Sequence, residues 1–233
     1  MGFFQGVSKK EAVSWALFDF ANSSYSLLVM TFVFPLFFRD VIAGGGSAGD
    51  FWWGLTVSIS ILLGGILSPI VGAVADADGR RKSKFILFSV LSMIGTIALY
   101  FTGSGSLLFG ILLFVVMNVC FEVALSLYDS FLLHVSTTEN SGRISGLGWG
   151  LGYVGGIVAM LLFRPLYSGG YVGGLEERYL LTFPLTALFF FLFSLPAFFF
   201  LKEQYSSVAP RFQGLFSSVR EGVRSLVSTL KNI

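Results

Sequence analysis

Along most of the chain, polar positions are too sparse to form any amphipathic repeat. Long apolar runs alternate with short segments rich in Gly, Ser, Asp, Lys and Arg. Six such runs cover approximately 13–38, 52–75, 85–101, 107–133, 145–163 and 180–201. An α-helix needs about 17–25 predominantly apolar residues to cross ~30 Å of hydrocarbon. The pattern therefore predicts an all-α protein with six transmembrane helices. The first run is too long for the core of a cleaved leader, carries an acid and has no small-residue cleavage site after it. It reads as a retained span.

Polarity is shared unevenly among the runs. The first carries Asp19 and the fourth carries Glu122 and Asp129, while the second and fifth are uncharged and rich in glycine. The third and sixth are almost wholly apolar, and the eight phenylalanines of the sixth suit a helix with much of its surface in lipid. The order is polar, small, greasy, and then the same again. Two three-helix units of opposite topology, an inverted repeat, would give that order. In the fifth run Gly148, Gly152 and Gly156 stand at i, i+4 and i+8, a stripe that lets two helix backbones approach closely.

The helix period sharpens the polar positions into stripes. Asp19, Asn22 and Ser26 fall at i, i+3 and i+7 of the first span; Asn118, Glu122, Ser126 and Asp129 fall at i, i+4, i+8 and i+11 of the fourth. Asp19 and Asn22 lie ~9–14 Å into the first span at 1.5 Å per residue, and Glu122 lies at a comparable depth. Two stripes at one level are expected to share a cavity. They can serve as hydrogen-bonded ties between helices, at about 0.6–2 kcal/mol per contact. They can also bind a solute or a proton. Paired amides alone would have served as ties, and an acid in a span costs roughly 2.5–3.5 kcal/mol on insertion scales. Asp19, Asn22, Ser26, Asn118 and Glu122 are therefore the expected substrate- or proton-binding residues.

Composition supports the membrane reading: 55% of the 233 residues are hydrophobic, 12% are charged, and the mean hydropathy is +0.81. The net charge of +2 matters less than its placement. With the N-terminus inside, twelve of the fifteen Lys and Arg fall on the cytoplasmic side, and only Arg39, Arg164 and Arg178 fall outside. This positive-inside bias predicts a multi-pass cell-membrane protein with both termini cytoplasmic. Trp52 and Trp53 then mark the outer interface. One histidine and one cysteine leave no expectation of a metal site, a disulfide or a cofactor. Cations neither clustered nor interleaved with aromatics argue against nucleic acid. With no nucleophile–base pairing in view, an enzyme is not expected.

Between the second and third runs stands GAVADADGRRKSK, 72–84. Gly79 permits a sharp turn, Asp76 can accept from a neighbouring helix N-terminus or from Arg80, and the cations hold the loop at the cytoplasmic face. The Gly-xxx-Asp-xx-Gly-Arg-Arg frame resembles the signature loop of the major facilitator superfamily at every fixed position. That resemblance implies a gate in which the loop's Asp and Arg pair with an acid ending the fourth helix: here Asp76, Gly79, Arg80 and Asp129. Two further blocks, WALFDFANSSYSLLVMTFVFPLFF and GRISGLGWGLGYVGG, resemble the autophagy-linked vacuolar amino-acid effluxer family and its bacterial relatives. The chain departs from that family at YDSFLLHV, where Asp129 replaces an amide. GYVGG also lacks the proline of the superfamily's antiporter motif, so transport direction is left open.

The resemblance implies a half of a major facilitator fold at 1–203 and a cytoplasmic linker at 204–233. In that linker Phe212, Leu215, Phe216, Val219, Val223, Leu226, Val227 and Leu230 share one face of an amphipathic interfacial helix. It also implies secondary active transport of a small polar solute, with an amino acid as the family's candidate and protons as candidate co-substrate. A missing second half would come from a second copy or a separate C-terminal half chain, unless this is a truncated piece. The competing reading is a non-transporting membrane subunit that binds or regulates a partner protein.

Overall fold

The computed structural model describes residues 4–171 and 175–203; the expected amphipathic helix at 204–233 lies outside them. Six helices are long and apolar enough to span a membrane: α1 (Lys9–Ile42), α2 (Gly46–Asp78), α3 (Arg81–Phe101), α4 (Leu107–Val135), α5 (Ser141–Tyr167) and α6 (Glu176–Phe200). Each coincides with one of the expected runs, the sixth of which reaches one residue past its helix. Several reach further, and the 33 residues of α2 extend to about 50 Å at 1.5 Å per residue.

The packing order has an internal symmetry. Helix α1 packs on α5 and α6, α4 packs on α2 and α3, and α3 meets α6. Exchanging the first three helices for the last three maps this arrangement onto itself, as an inverted repeat of three-helix units requires.

Two aromatic clusters hold the helices together at different levels. Towards the α1 N-terminus, the Phe18 ring lies 4.8 Å from Phe85, 4.7 Å from Tyr128 and 5.6 Å from Phe190, uniting α1, α3, α4 and α6. Towards its C-terminus, the Phe34 ring lies 5.8 Å from Trp53, 5.7 Å from Phe114 and 5.4 Å from Phe183. Trp53 is thus half-buried in this cluster rather than set only in an interfacial belt. The greasy sixth helix is equally two-sided. Phe183, Phe189, Phe190 and Phe198 are buried, whereas Phe191, Phe193, Phe199 and Phe200 are exposed. The stripe of apolar surface left most open belongs instead to α2, where Ile61, Leu62, Ile66 and Leu67 are exposed.

Helix α1 is irregular for a local reason. Pro35 has no N–H to offer the Thr31 carbonyl and would crowd it, so the preceding turns widen to i→i−5 bonding over Ser26–Phe32. The Val33 N–H donates to the Leu28 carbonyl, and the Thr31 hydroxyl donates to the Ser26 carbonyl at 2.8 Å. A second widened stretch, Phe38–Ile42, ends the helix.

The α2–α3 turn follows its sequence closely. Gly79 ends α2 in the left-handed region at φ 66° and ψ 20°, which a side chain would disfavour. The Asp78 carboxylate then accepts from the Arg80 N–H at 3.1 Å and pairs with Lys84. Glu203 caps α3, its carboxylate accepting from the Lys82 N–H at 2.7 Å. Beside it Lys202, just past α6, pairs with Glu11 in the first turn of α1 at 2.8 Å. These bonds tie α1, α3 and the end of α6 at one edge of the bundle.

At the opposite edge, the Arg39 Nε lies 3.1 Å from Asp50, bridging the end of α1 to the start of α2. The Tyr171 hydroxyl donates to Asp40. Burial, and then that hydrogen bond, push this hydroxyl up to about 12, so it stays a donor at physiological pH.

Candidate functional site

The polar stripes of α1 and α4 are placed by close helix contacts. The glycine stripe of α5 faces α1, as its spacing predicts. A Cβ on Gly148 would come within 2.5 Å of the Asp19 Oδ2, and one on Gly152 within 3.0 Å of the Ser23 Oγ. On the other side, a Cβ on Gly64 of α2 would come within 2.9 Å of the Glu122 Cβ. The acid of each repeat thus lies against a glycine of the other repeat's small-residue helix.

Two recesses result, one at each contact. The first, about 340 Å³, is lined by Asp19, Ser23, Ser26, Leu27, Trp149, Gly152 and Tyr153 between α1 and α5. The second, about 310 Å³, is lined by Ile61, Gly64, Gly65, Ser68, Glu122, Leu125, Ser126 and Asp129 between α2 and α4. Asp19 and Glu122 were expected to share a cavity; the structure gives each its own. The reason is the facing helix: α5 encloses one stripe and α2 the other.

The remaining expected residues divide between lining and tying. Ser26 lines the first recess. Asn22 is buried and donates through its Nδ2 to the Asp19 Oδ1 at 3.2 Å, holding that carboxylate in place. Asn118 is fully enclosed and reaches neither recess. Its Oδ1 accepts from the Tyr25 hydroxyl at 3.1 Å and its Nδ2 donates to the Ser60 Oγ at 3.0 Å. That chain of bonds joins α1, α4 and α2 between the two aromatic clusters. A second joint lies nearer the α1 N-terminus. Trp15 and Tyr128 stack at 4.8 Å, the Trp15 Nε1 donates to the Tyr128 carbonyl at 3.2 Å, and the Tyr128 hydroxyl donates to the Trp15 carbonyl at 3.0 Å.

The expected gate is arranged differently. Asp76 pairs with Arg81, not Arg80. Arg80 is the residue immediately before α3, with φ −116° and ψ 47°, and its exposed side chain makes no ion pair among the described residues. Asp129 sits in the second recess with Glu122. In this arrangement it belongs with the acids of the recesses. Asp19, Glu122 and Asp129 have no Lys, Arg or His partner among the described residues.

Sequence reasoning did not single out Trp149 and Tyr153. Their signal was available: two large aromatics at i and i+4 within the glycine-rich GWGLGYVGG. Ser23 and Ser68 escaped notice because each becomes a lining residue only once a particular helix faces it. No group of three or more His, Cys, Asp or Glu is placed to hold a metal ion among the described residues.

Comparison with known proteins agrees with this architecture. Residues 53–233 match the family described as vacuole effluxer Atg22 like. The chain is 35% identical over 156 residues to YxiO of Bacillus subtilis (strain 168), described as an uncharacterized MFS-type transporter, covering 66% of this chain and 36% of that protein. It is 30% identical over 226 residues to the multidrug resistance protein MdtG of Salmonella choleraesuis (strain SC-B67), covering 94% of this chain and 50% of that one. The fold is similar to that of the major facilitator proton:xylose symporter XylE bound to 6-bromo-6-deoxy-D-glucose. The TM-score is 0.59 at 14% identity, over 92% of this chain and 48% of that one. The chain spans half or less of the length of each of these relatives, of which YxiO and XylE are described as a transporter and a symporter. With its six helices in the arrangement of an N-terminal major facilitator half, the chain belongs to the vacuole effluxer Atg22-like family.

Proposed function

We propose that this chain is one half of a secondary transporter that moves a small polar solute by alternating access, with an amino acid as the leading candidate and protons as co-substrate. The observation that carries this reading is the set of three acids inside spanning helices, lining two recesses, with no cation to neutralise them among the described residues. A carboxylate at that depth costs roughly 2.5–3.5 kcal/mol on insertion scales, and such groups mark substrate and proton paths. Helix ties need no such groups, since Asn118 already ties three helices with an amide.

In this reading Asp19, steadied by Asn22, meets the solute, while Glu122 and Asp129 exchange protons. A second six-helix half, from the same polypeptide, a second copy or a separate chain, covers the recesses. The pairs Asp76–Arg81 and Asp78–Lys84 brace the α2–α3 turn at the cytoplasmic edge, on the side of both termini.

The test is reconstitution of the assembled carrier, both halves present, in proteoliposomes with an imposed pH gradient. The gradient is expected to drive accumulation of a labelled amino acid. Glu122→Gln should keep solute exchange between the two sides yet lose gradient-driven accumulation, by about ten-fold or more, the effect of removing the protonatable group. Wild-type vesicles that move no amino acid would sink the amino-acid assignment. Unchanged pH dependence in Glu122→Gln would remove proton coupling through that residue.

A further inference from the structure

We propose that the α1/α5 recess holds the ammonium group of a small organic cation, with the Asp19 carboxylate as counter-charge and the Trp149 and Tyr153 rings as π walls. This rests on reading the recess as the solute site and adds what the site recognises.

The chemistry of the lining points one way. Asp19 supplies negative charge and no Lys, Arg or His lines either recess, so of an amino acid's two charges these recesses meet the ammonium, and its carboxylate falls to the other half of the carrier. Ser23 and Ser26 supply hydroxyl oxygens that can accept from an ammonium N–H. The aromatic pair completes the set. The Trp149 and Tyr153 ring centroids are 6.1 Å apart with planes inclined by 61°, so they form two walls at an angle rather than a closed stack. A cation within about 6 Å of such a ring face is attracted by its quadrupole, most strongly for Trp.

Packing does not account for these two rings. Phe18, Phe34, Phe85 and Phe190 interlock between helices and are buried, whereas Trp149 and Tyr153 are each 66% exposed. Trp149 lies eight residues into α5, about 12 Å along the helix axis. The flanking glycines bring the rings to the acid. Gly148 is adjacent in sequence to Trp149 and meets Asp19 directly, and Gly152 lines the recess next to Tyr153. At about 340 Å³ the space accommodates a small ion with a short hydrocarbon skeleton.

The purified chain in lipid nanodiscs tests this without transport. Saturable binding at neutral pH is measured for three molecules sharing one branched five-carbon skeleton: isopentylamine, 3-methylbutan-1-ol and isovalerate. The amine is expected to bind about ten-fold or more tightly than the alcohol, and the acid more weakly still. Trp149→Leu, at an exposed position that leaves the packing alone, should weaken the amine about five-fold, and Asp19→Asn about ten-fold or more. Tyr153→Leu, which removes the second wall, should weaken the amine about three-fold. Equal binding of all three molecules, preference for isovalerate, or amine binding unchanged in both Trp149→Leu and Asp19→Asn overturns the proposal. Amine binding by the chain without any transport by the assembled carrier would defeat the transport reading and leave this one standing. Transport indifferent to solute charge would do the reverse.

Discussion

The two recesses are counterparts within the repeated architecture, and their difference is chemical rather than architectural. In both, an acid from a polar-striped helix lies against a glycine of a small-residue helix: Asp19 against Gly148, Glu122 against Gly64. The volumes are close, about 340 and 310 Å³. Yet α5 furnishes Trp149 and Tyr153 to the first, whereas α2 furnishes Gly65 and Ser68 to the second, which also holds another acid, Asp129. The repeat sets backbone and carboxylate; the facing helix decides what each carboxylate can do. Aromatic walls favour an organic cation. Hydroxyls and paired acids favour proton exchange.

Blocking either contact breaks the comparison most strongly. Gly148→Val should push α5 off α1, costing about 1–3 kcal/mol as an overpacked interface does, and should abolish the first recess while sparing the second. Gly64→Val is the mirror case. Gly150, with open space where a Cβ would sit, should accept valine within ~0.5 kcal/mol. Thermal unfolding in detergent reads all three. If Gly148→Val melts like Gly150→Val, the close contact at Gly148 is wrong.

A smaller effect is expected where the two repeats are joined. Asn118→Leu strands the Tyr25 hydroxyl in a fully buried place, at about 1–2 kcal/mol for a tie between membrane helices. Both recesses should loosen together, so Glu122 accessibility to a carboxyl-reactive carbodiimide should rise along with that of Asp19. A change at one acid alone would show that the repeats move independently.

The smallest effect belongs to the edge. Arg81→Ala removes the partner of Asp76 and should shift the balance between the two access states, with a stability change of no more than about 1 kcal/mol because the pair is solvated. Arg80→Ala should do less. Labelling of cysteines introduced at opposite ends of the bundle compares them, and an equal shift from both would restore the arginine predicted from sequence.

That exchange of Arg81 for Arg80 shows where sequence reading stops. The six spans, the glycine stripe of α5 and the turn at Gly79 were legible because each depends on a local property: run length, helical spacing, or a backbone angle only glycine adopts cheaply. The stripes Asp19–Asn22–Ser26 and Asn118–Glu122–Asp129 were legible as faces of single helices. What periodicity cannot supply is the direction in which a face points relative to other helices. Hence Asp19 and Glu122 seemed to share a cavity, Asn118 seemed to line one, and Trp149 drew no attention. The side chain of Arg80 leaves from a turn residue outside the helical register, and the sequence frame does not encode that angle.

The widened turns of α1 carry a consequence for how this helix divides its labour. Each residue inserted beyond the i→i−4 register rotates everything after it by about 100°, since an α-helix advances that much per residue. With one residue inserted, Phe34, eight residues after Ser26, stands within about 20° of the Asp19–Asn22–Ser26 phase instead of about 80° from it, and in that phase Phe34 and Phe38 reach the aromatic cluster. Pro35 acts as a phase shifter. A variant with alanine there and no deletion, its turns restored to α-helical bonding, would rotate Phe34 by about 100° relative to Ser26. It could then satisfy the recess or the aromatic cluster, but not both.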